Sequence, residues 1–355
     1  MTDLFTPLPM GAFTADNRIF MAPLTRCRTE PDHVPGVLMA QHYAQRASAG
    51  LLIAEATMIS AGHSAFWHEP GIYSEAQIAG WRSVTDAVHQ HGGRIFLQIW
   101  HGGRATHPAL NEGNPPIGPS AIAIQGEVHT PEGKLPYVVP RELADSEIPA
   151  VVSAFVQAAH HAKQAGFDGV EIHGANGFLL DQFLRSGSNQ RQGNYGGNRE
   201  KRARLLFEVI DAVSAVLGSQ RVGLRLSLLN GVNDMRDEDP VGLSRWLGKQ
   251  LSAYKLGYLH MMRGDFRGEQ TGDVMTPMRE AYDGVLVANM GYSVQEAADS
   301  VSSGLVDAVA FGKAFLANPD LPARIKQGAE LNTPDVATFY GGDARGYNDY
   351  PSITG

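Results

Sequence analysis

The chain reads as an α/β protein: a (β/α)8 TIM barrel with an N-terminal hairpin and a long insertion after its third strand. Three observations predict this. Eight short apolar runs alternate with segments of helical periodicity, the rhythm of repeated β–α units. The runs are apolar at successive positions rather than at every second one, as strands covered on both faces must be. No run leads into G-x-G-x-x-G or G-x-x-x-x-G-K-[ST], the phosphate loops by which a doubly wound sheet usually declares itself.

Residues 4–17 are rich in turn formers and read as a hairpin outside the repeat. Strands one to three are IFMAPLTR (19–26), LLIAEATMIS (51–60) and GRIFLQIWH (93–101), with helices over 37–48 and 75–91 between them. The Pro/Gly-rich stretch 102–145 exceeds an ordinary connection and reads as a functional insertion. Helix three (146–166), strand four (DGVEIHG, 168–174) and a helix from Phe178 come next, then a polar turn and a long helix over 199–217. Strands five to eight are RVGLRLS (221–227), GYLHMM (257–262), GVLVAN (284–289) and VDAVAF (306–311), with helices over 241–254 and 294–303. The tail, 314–355, holds short helices and a Gly/Tyr-rich end, so that 1–355 forms one barrel domain.

Composition narrows the function. At 355 residues and 43% hydrophobic the chain can bury a large core. A net charge of −8 with no basic run argues against nucleic acid as partner. No apolar run reaches membrane-spanning length, no secretory leader pattern opens the chain, and the lone Cys27 cannot form an internal disulfide. A cytoplasmic protein acting on a small molecule is expected, and either a monomer or a homodimer suits it.

Barrel enzymes carry their chemistry at the C-terminal ends of the strands. The residues standing there are Thr25, Ala56, Gln98, Trp100, His173, Asn176, Arg225 and the turns Met290-Gly291 and Gly312-Lys313. His173 and Asn176, three apart, can each present a neutral N–H donor. Either the pair grips one ligand oxygen, as an oxyanion hole does, or it merely caps the following helix. Strand parity places Glu171 and Arg225 on inward faces of neighbouring strands, where they are expected to pair. The turns after strands seven and eight are the usual phosphate site of this fold, so a phosphorylated ligand is expected. No metal-ligand spacing is evident.

The motifs MAPLTR (21–26), QIWHGGR (98–104), EIHGANGFLLDQFLR (171–185), NQRQGNYGG (189–197), GLRLS (223–227), AFGKAFLANPDL (310–321) and FYGGDARGYNDYP (339–351) occur in this order. Together they resemble the old yellow enzymes, FMN-dependent ene-reductases on a (β/α)8 barrel, nearly end to end. The resemblance implies FMN as cofactor and NADPH or NADH as reductant. It implies that Pro23, Leu24 and Thr25 lie along the flavin, with Ala56 and Gln98 at its pyrimidine side and Arg225 by N1 and the C2 carbonyl. Met290, Gly291, Gly312 and Lys313 would hold the phosphate. His173 and Asn176 would bind the electron-withdrawing oxygen of the substrate. Phe66, Trp100 and Phe178 would shape the pocket and Tyr347 close it. The implied reaction is ping-pong: hydride passes from the nicotinamide to flavin N5, then to Cβ of an activated alkene, while a proton reaches Cα.

Three positions depart from the family pattern. Phe178 stands where a proton-donating Tyr is usual, so the proton must come from water or another group such as Tyr347. Lys313 replaces the usual Arg and cannot clamp a phosphate in bidentate fashion. Met290 replaces a common Gly. Two competing readings are a glycoside hydrolase using Glu55 and Glu171 as paired carboxylates, and a non-catalytic flavin or steroid binder.

Overall fold

The computed structural model describes residues 3–353. The chain opens with a two-stranded antiparallel hairpin, β1 (Leu8–Pro9) and β2 (Thr14–Ala15), as the turn-rich sequence predicts. The barrel begins with β3 (Ile19–Met21), followed by α1 (Val37–Ala44), β4 (Leu52–Met58), α2 (Glu75–Gln90) and β5 (Ile95–Trp100). The insertion adds four short strands in two pairs, β6 (Ile117–Gly118) with β9 (Arg141–Glu142) and β7 (Glu127–Thr130) with β8 (Gly133–Pro136). Next come α3 (Ile148–Gln164), β10 (Gly169–Gly174), α4 (Leu179–Leu184), α5 (Arg199–Arg202), α6 (Arg204–Leu217) and β11 (Val222–Leu226). The circuit ends with α7 (Pro240–Leu251), β12 (Tyr258–Met262), α8 (Met275–Ala281), β13 (Leu286–Asn289), α9 (Val294–Ser302), β14 (Ala308–Phe311), α10 (Lys313–Ala317) and α11 (Leu321–Gln327).

Strands β3, β4, β5, β10, β11, β12, β13 and β14 close into a parallel barrel in chain order, the predicted (β/α)8 architecture. Every residue of these eight strands is buried, which explains why apolar residues follow one another in them instead of alternating with exposed polar ones. The helices cover the outside with periodic apolar faces: α2 buries Ile78, Trp81, Val84 and Val88, and α6 buries Leu205, Leu206, Val209, Ile210 and Val213. Ser74 starts α2 through a reciprocal capping box with Gln77, and Ser293 starts α9 in the same way with Glu296.

Two expectations are corrected. The helix expected over 199–217 is interrupted at Ala203, and α8 lies between strands six and seven, where no helix was expected. With seven residues α8 is too short for apolar periodicity to show.

Arg191, from the polar NQRQGNYGG turn, anchors the insertion. It donates to the carbonyls of Pro119 at 3.1 Å and Leu143 at 2.6 Å and pairs with Asp145 and Glu142. From the other side Arg104 donates to the Ile122 and Asn233 carbonyls, so the 102–145 segment is fastened over the barrel mouth.

Candidate active site

The barrel interior is built in layers, apolar at the bottom and polar at the top. Gly169 and Gly223 leave room for the rings of Phe96 and Tyr258; a Cβ on Gly223 would lie 2.3 Å from the Tyr258 ring. One step up, Glu171 accepts from Gln98 Nε2 at 2.7 Å and from His260 Nδ1 at 2.8 Å. Burial pushes the Glu171 carboxyl up, but His260, Arg225 and the Gln98 hydrogen bond outweigh it and hold the group below its ordinary range.

The expected Glu171–Arg225 pair does not form as a direct contact. Glu171 lies level with Gly223 on β11, and the absent side chain lets it reach past that strand to His260 on β12. Arg225 lies a layer higher, level with His173, and donates from Nη2 to Asn289 Oδ1 at 2.8 Å. Its Nε and Nη1 are buried without a protein partner, and such N–H groups call for a ligand acceptor.

The hydrogen bonds fix the donor atoms of the His–Asn pair. The Ala175 N–H donates to His173 Nδ1 at 3.3 Å, so the ring proton sits on Nε2. Burial, then the nearby charges of Arg225 and His260, hold the imidazole pKa well below its ordinary value, so the ring is neutral. Asn176 sits at φ +58°, in a left-handed turn rather than on a helix. Its Oδ1 accepts from Asn230 Nδ2 at 2.9 Å, and no described residue receives a hydrogen bond from its own Nδ2. Neither residue caps α4, whose N-cap is Phe178 and has no side-chain bond.

Aromatic rings wall this mouth. Trp100 and Phe178 meet edge to face with centroids 4.4 Å apart, and Phe178 meets His173 the same way at 5.0 Å. Phe66 packs on Trp100 at 6.1 Å and Phe178 at 6.5 Å. Ala56, beside a register break between β4 and β5, belongs to the same cluster.

Tyr347 does not close the pocket. It is fully buried, its ring stacked on His42 at 3.8 Å with the Arg28 guanidinium 4.4 Å from its centroid. Its carbonyl accepts from Arg46 and His42, which locks the residue against α1. Burial raises its hydroxyl pKa well above the ordinary range, which further removes it as a proton donor. The tail residue at the mouth is Tyr340, stacked on Phe66 with centroids 6.3 Å apart and planes 6° from parallel.

Further round the rim, Pro23, Leu24 and Thr25 are part-exposed just beyond β3. Met290 and Gly291 follow β13, while Gly312 and Lys313 follow β14. Lys313 is exposed and makes no ion pair with any described residue. Met290 has φ +89° and Gly291 φ +67°, so this turn does require the backbone that glycine adopts most readily. Arg263, just past β12, fastens it by donating to both carbonyls.

These residues fit an FMN. Arg225 offers two buried donors without partners, and Gln98, whose amide nitrogen is committed to Glu171, turns its oxygen free as an acceptor. Neighbouring turns present an open glycine at 291 and an unpaired ammonium at 313 for a phosphate. The hydrolase reading fails on geometry. Glu55 is buried, bonded to the Tyr43 hydroxyl and the Arg26 N–H, while Glu171 is bonded to His260 below the mouth, so neither carboxylate is free.

A closed parallel barrel with such a mouth is that of a flavin-dependent oxidoreductase. The chain belongs to the NADH:flavin oxidoreductase / NADH oxidase family, whose profile matches residues 3–332. It is 51% identical over 354 residues to a Leishmania infantum protein named "Probable flavin mononucleotide-dependent alkene reductase", spanning 98% of this chain and 97% of that one. Identity to 12-oxophytodienoate reductase 1 of Oryza sativa subsp. japonica is 42%, over 99% of this chain and 93% of that protein. Among solved structures, the old yellow enzyme from Trypanosoma cruzi superposes with a TM-score of 0.96 at 44% identity, covering 99% of each chain. Morphinone reductase in complex with tetrahydroNAD superposes with a TM-score of 0.95 at 44% identity, covering 99% of this chain and 98% of that one.

Sequence reasoning missed Asn230, Arg263, Asn289 and Tyr340. Asn289 ends strand seven, so a polar residue at a strand's C-terminal end was the available signal. The others lie on loops or the tail, where no periodicity tells which side chain faces the mouth.

Proposed function

We infer that this chain is an FMN-dependent NAD(P)H:activated-alkene oxidoreductase that reduces α,β-unsaturated carbonyl and nitro compounds. One observation carries the reading: the atoms of His173 and Asn176 left without protein partners are both donors, Nε2 and Nδ2. Two donors on a carbonyl or nitro oxygen draw electron density toward it and make the conjugated β-carbon electrophilic. Bound FMN supplies the two-electron carrier that receives hydride from NAD(P)H and returns it to the alkene.

The protein's own part is placement and electrostatics. Arg225 would hold the N1–C2 edge of the ring, Gln98 and Ala56 its pyrimidine side, and Pro23, Leu24 and Thr25 its length, with the Thr25 hydroxyl tuning redox poise. Met290, Gly291, Gly312 and Lys313 would hold the phosphate. His173, kept neutral, donates without adding charge near the cofactor. Phe66, Trp100 and Phe178 exclude water from one face and shape the slot for a flat substrate. The nicotinamide and the alkene use this slot in turn, which makes the reaction ping-pong. Phe178 has no hydroxyl and Tyr347 is buried away from the mouth, so the Cα proton comes from water or from another group at the mouth.

Truncating the donors tests this. His173→Ala and Asn176→Ala should each raise the 2-cyclohexenone Kd about tenfold or more, the effect of one hydrogen bond to a polarised oxygen. Unchanged affinity in both variants would overturn the assignment.

A further inference from the structure

We propose that Asn230 sets which end of the Asn176 carboxamide faces the substrate; the inference rests on the reading of Asn176 as a substrate-oxygen donor. A carboxamide is nearly symmetric in shape but not in chemistry. Turned one way it offers two N–H donors, turned the other an acceptor oxygen that would repel a substrate carbonyl. Something must therefore fix its sense.

The structure fixes it through a chain of obligatory donors. Asn230 is fully buried on the loop after β11. Its Oδ1 faces the backbone N–H groups of Val232 at 3.4 Å and Phe266 at 3.3 Å. A backbone N–H can only donate, so the Asn230 oxygen must lie on that side and its Nδ2 on the other. There Nδ2 lies 2.9 Å from the Asn176 side chain, whose oxygen must therefore be the atom that receives it. Asn176 Nδ2 is then the end left over for a ligand. The backbone of Asn176 cannot swing to escape this, because its N–H donates to Ser227 Oγ at 2.7 Å and its carbonyl accepts from Asn233 Nδ2 at 2.9 Å. Every polar group of Asn176 but one is thus committed, and Asn230 decides which one is spared. Asn230 acts through Asn176 and is a positioning residue.

The test uses the oxidised, FMN-loaded enzyme and 2-cyclohexenone, with binding followed by perturbation of the flavin absorbance. In Asn230→Asp the carboxylate can only accept, so the Asn176 carboxamide turns round and presents oxygen to the ligand. Its Kd should rise at least as much as in Asn176→Ala, about tenfold or more. Asn230→Ala releases the carboxamide without inverting it and should lose less than Asn230→Asp. The two sites should be fully coupled: Asn176→Ala with Asn230→Asp binds no more weakly than Asn176→Ala alone. Acidification should restore Asn230→Asp, since a protonated carboxyl donates again, and leave the parent unchanged. A purely structural role predicts the opposite order, with the near-isosteric Asp milder than Ala, and additive losses. Either of those results, or parental affinity in Asn230→Asp while Asn176→Ala is weakened, overturns the proposal. Parental affinity in Asn176→Ala instead removes the donor reading beneath it. Should Asn230→Asp fail to load flavin, Asn230→Ala carries the test, with a weakening that must vanish in the Asn176→Ala background.

Discussion

Arg263 reaches from the end of strand β12 to the carbonyls of Met290 and Gly291, donating from Nε at 2.9 Å and from Nη2 at 2.8 Å. The guanidinium is itself held by Glu296 at 3.3 Å and lies 3.9 Å from the centroid of the Tyr292 ring. It thereby ties down the turn in which Met290 occupies a positive φ. A side chain in that region costs on the order of 1 kcal/mol against glycine, which the two charge-assisted hydrogen bonds offset.

Removing the tie and removing the strain should therefore have opposite effects. Arg263→Ala should weaken FMN binding about tenfold, the scale of one lost charge-assisted bond. Met290→Gly should tighten FMN or leave it unchanged and raise the apoprotein melting temperature. Fluorescence titration of the apoprotein with FMN reads both; equal affinity in Arg263→Ala would show that the turn holds its shape unaided.

Lys313→Arg should slow FMN release. An ammonium neutralises a phosphate as a point charge, whereas a guanidinium can form two parallel hydrogen bonds, a gain of about 1 kcal/mol or several-fold in Kd. Flavin retained through repeated gel filtration measures it, and no gain in the Arg variant would place the phosphate elsewhere.

Much of this was legible before any coordinates. Strand order followed from apolar runs, because burial on both faces leaves a strong signal, whereas the seven-residue α8 was too short to leave one. His173, Arg225 and the two glycine turns were marked by standing where strands end. Parity gave the inward face of Glu171 but not its partner, since nothing in the spacing shows that a glycine at 223 opens the way to His260. Two of the tail's three tyrosines, Tyr340 and Tyr347, stand seven positions apart in irregular backbone. Only packing against His42 on one side and Phe66 on the other tells Tyr347, a buried anchor, from Tyr340, a rim residue.

Glu69, in the loop that carries Phe66, gives a pH signature. Burial pushes its carboxyl up to about 8, only partly offset by hydrogen bonds such as that from the Ala65 N–H, and Oε2 has no partner. The folded protein keeps this proton where the unfolded chain releases it near 4.5, so Glu69 makes stability fall as pH rises from about 4.5 to about 8 and then level off. Glu69→Gln removes that slope. Melting curves across this window should fall more steeply for the parent than for the Gln variant; parallel curves would show that Glu69 ionises freely.

Phe178 predicts where the alkene half-reaction is slow. Phe178→Tyr places a hydroxyl beside Trp100 and His173 and should speed reoxidation by 2-cyclohexenone about tenfold, within the usual range of a positioned general acid. Reoxidation by a nitro compound should change less. Stopped-flow flavin absorbance distinguishes them, and an unchanged enone rate would mean that proton supply does not limit the step.

The account as a whole stands on one mouth serving a flavin, a nicotinamide and an alkene in turn. Anaerobic titration of the purified protein tests it most directly. The prediction is a yellow protein that NADPH or NADH bleaches and that one equivalent of 2-cyclohexenone then returns to yellow, with the saturated ketone formed in the same amount. A colourless protein that takes up no FMN, or a bleached one that the enone leaves unchanged, would contradict it.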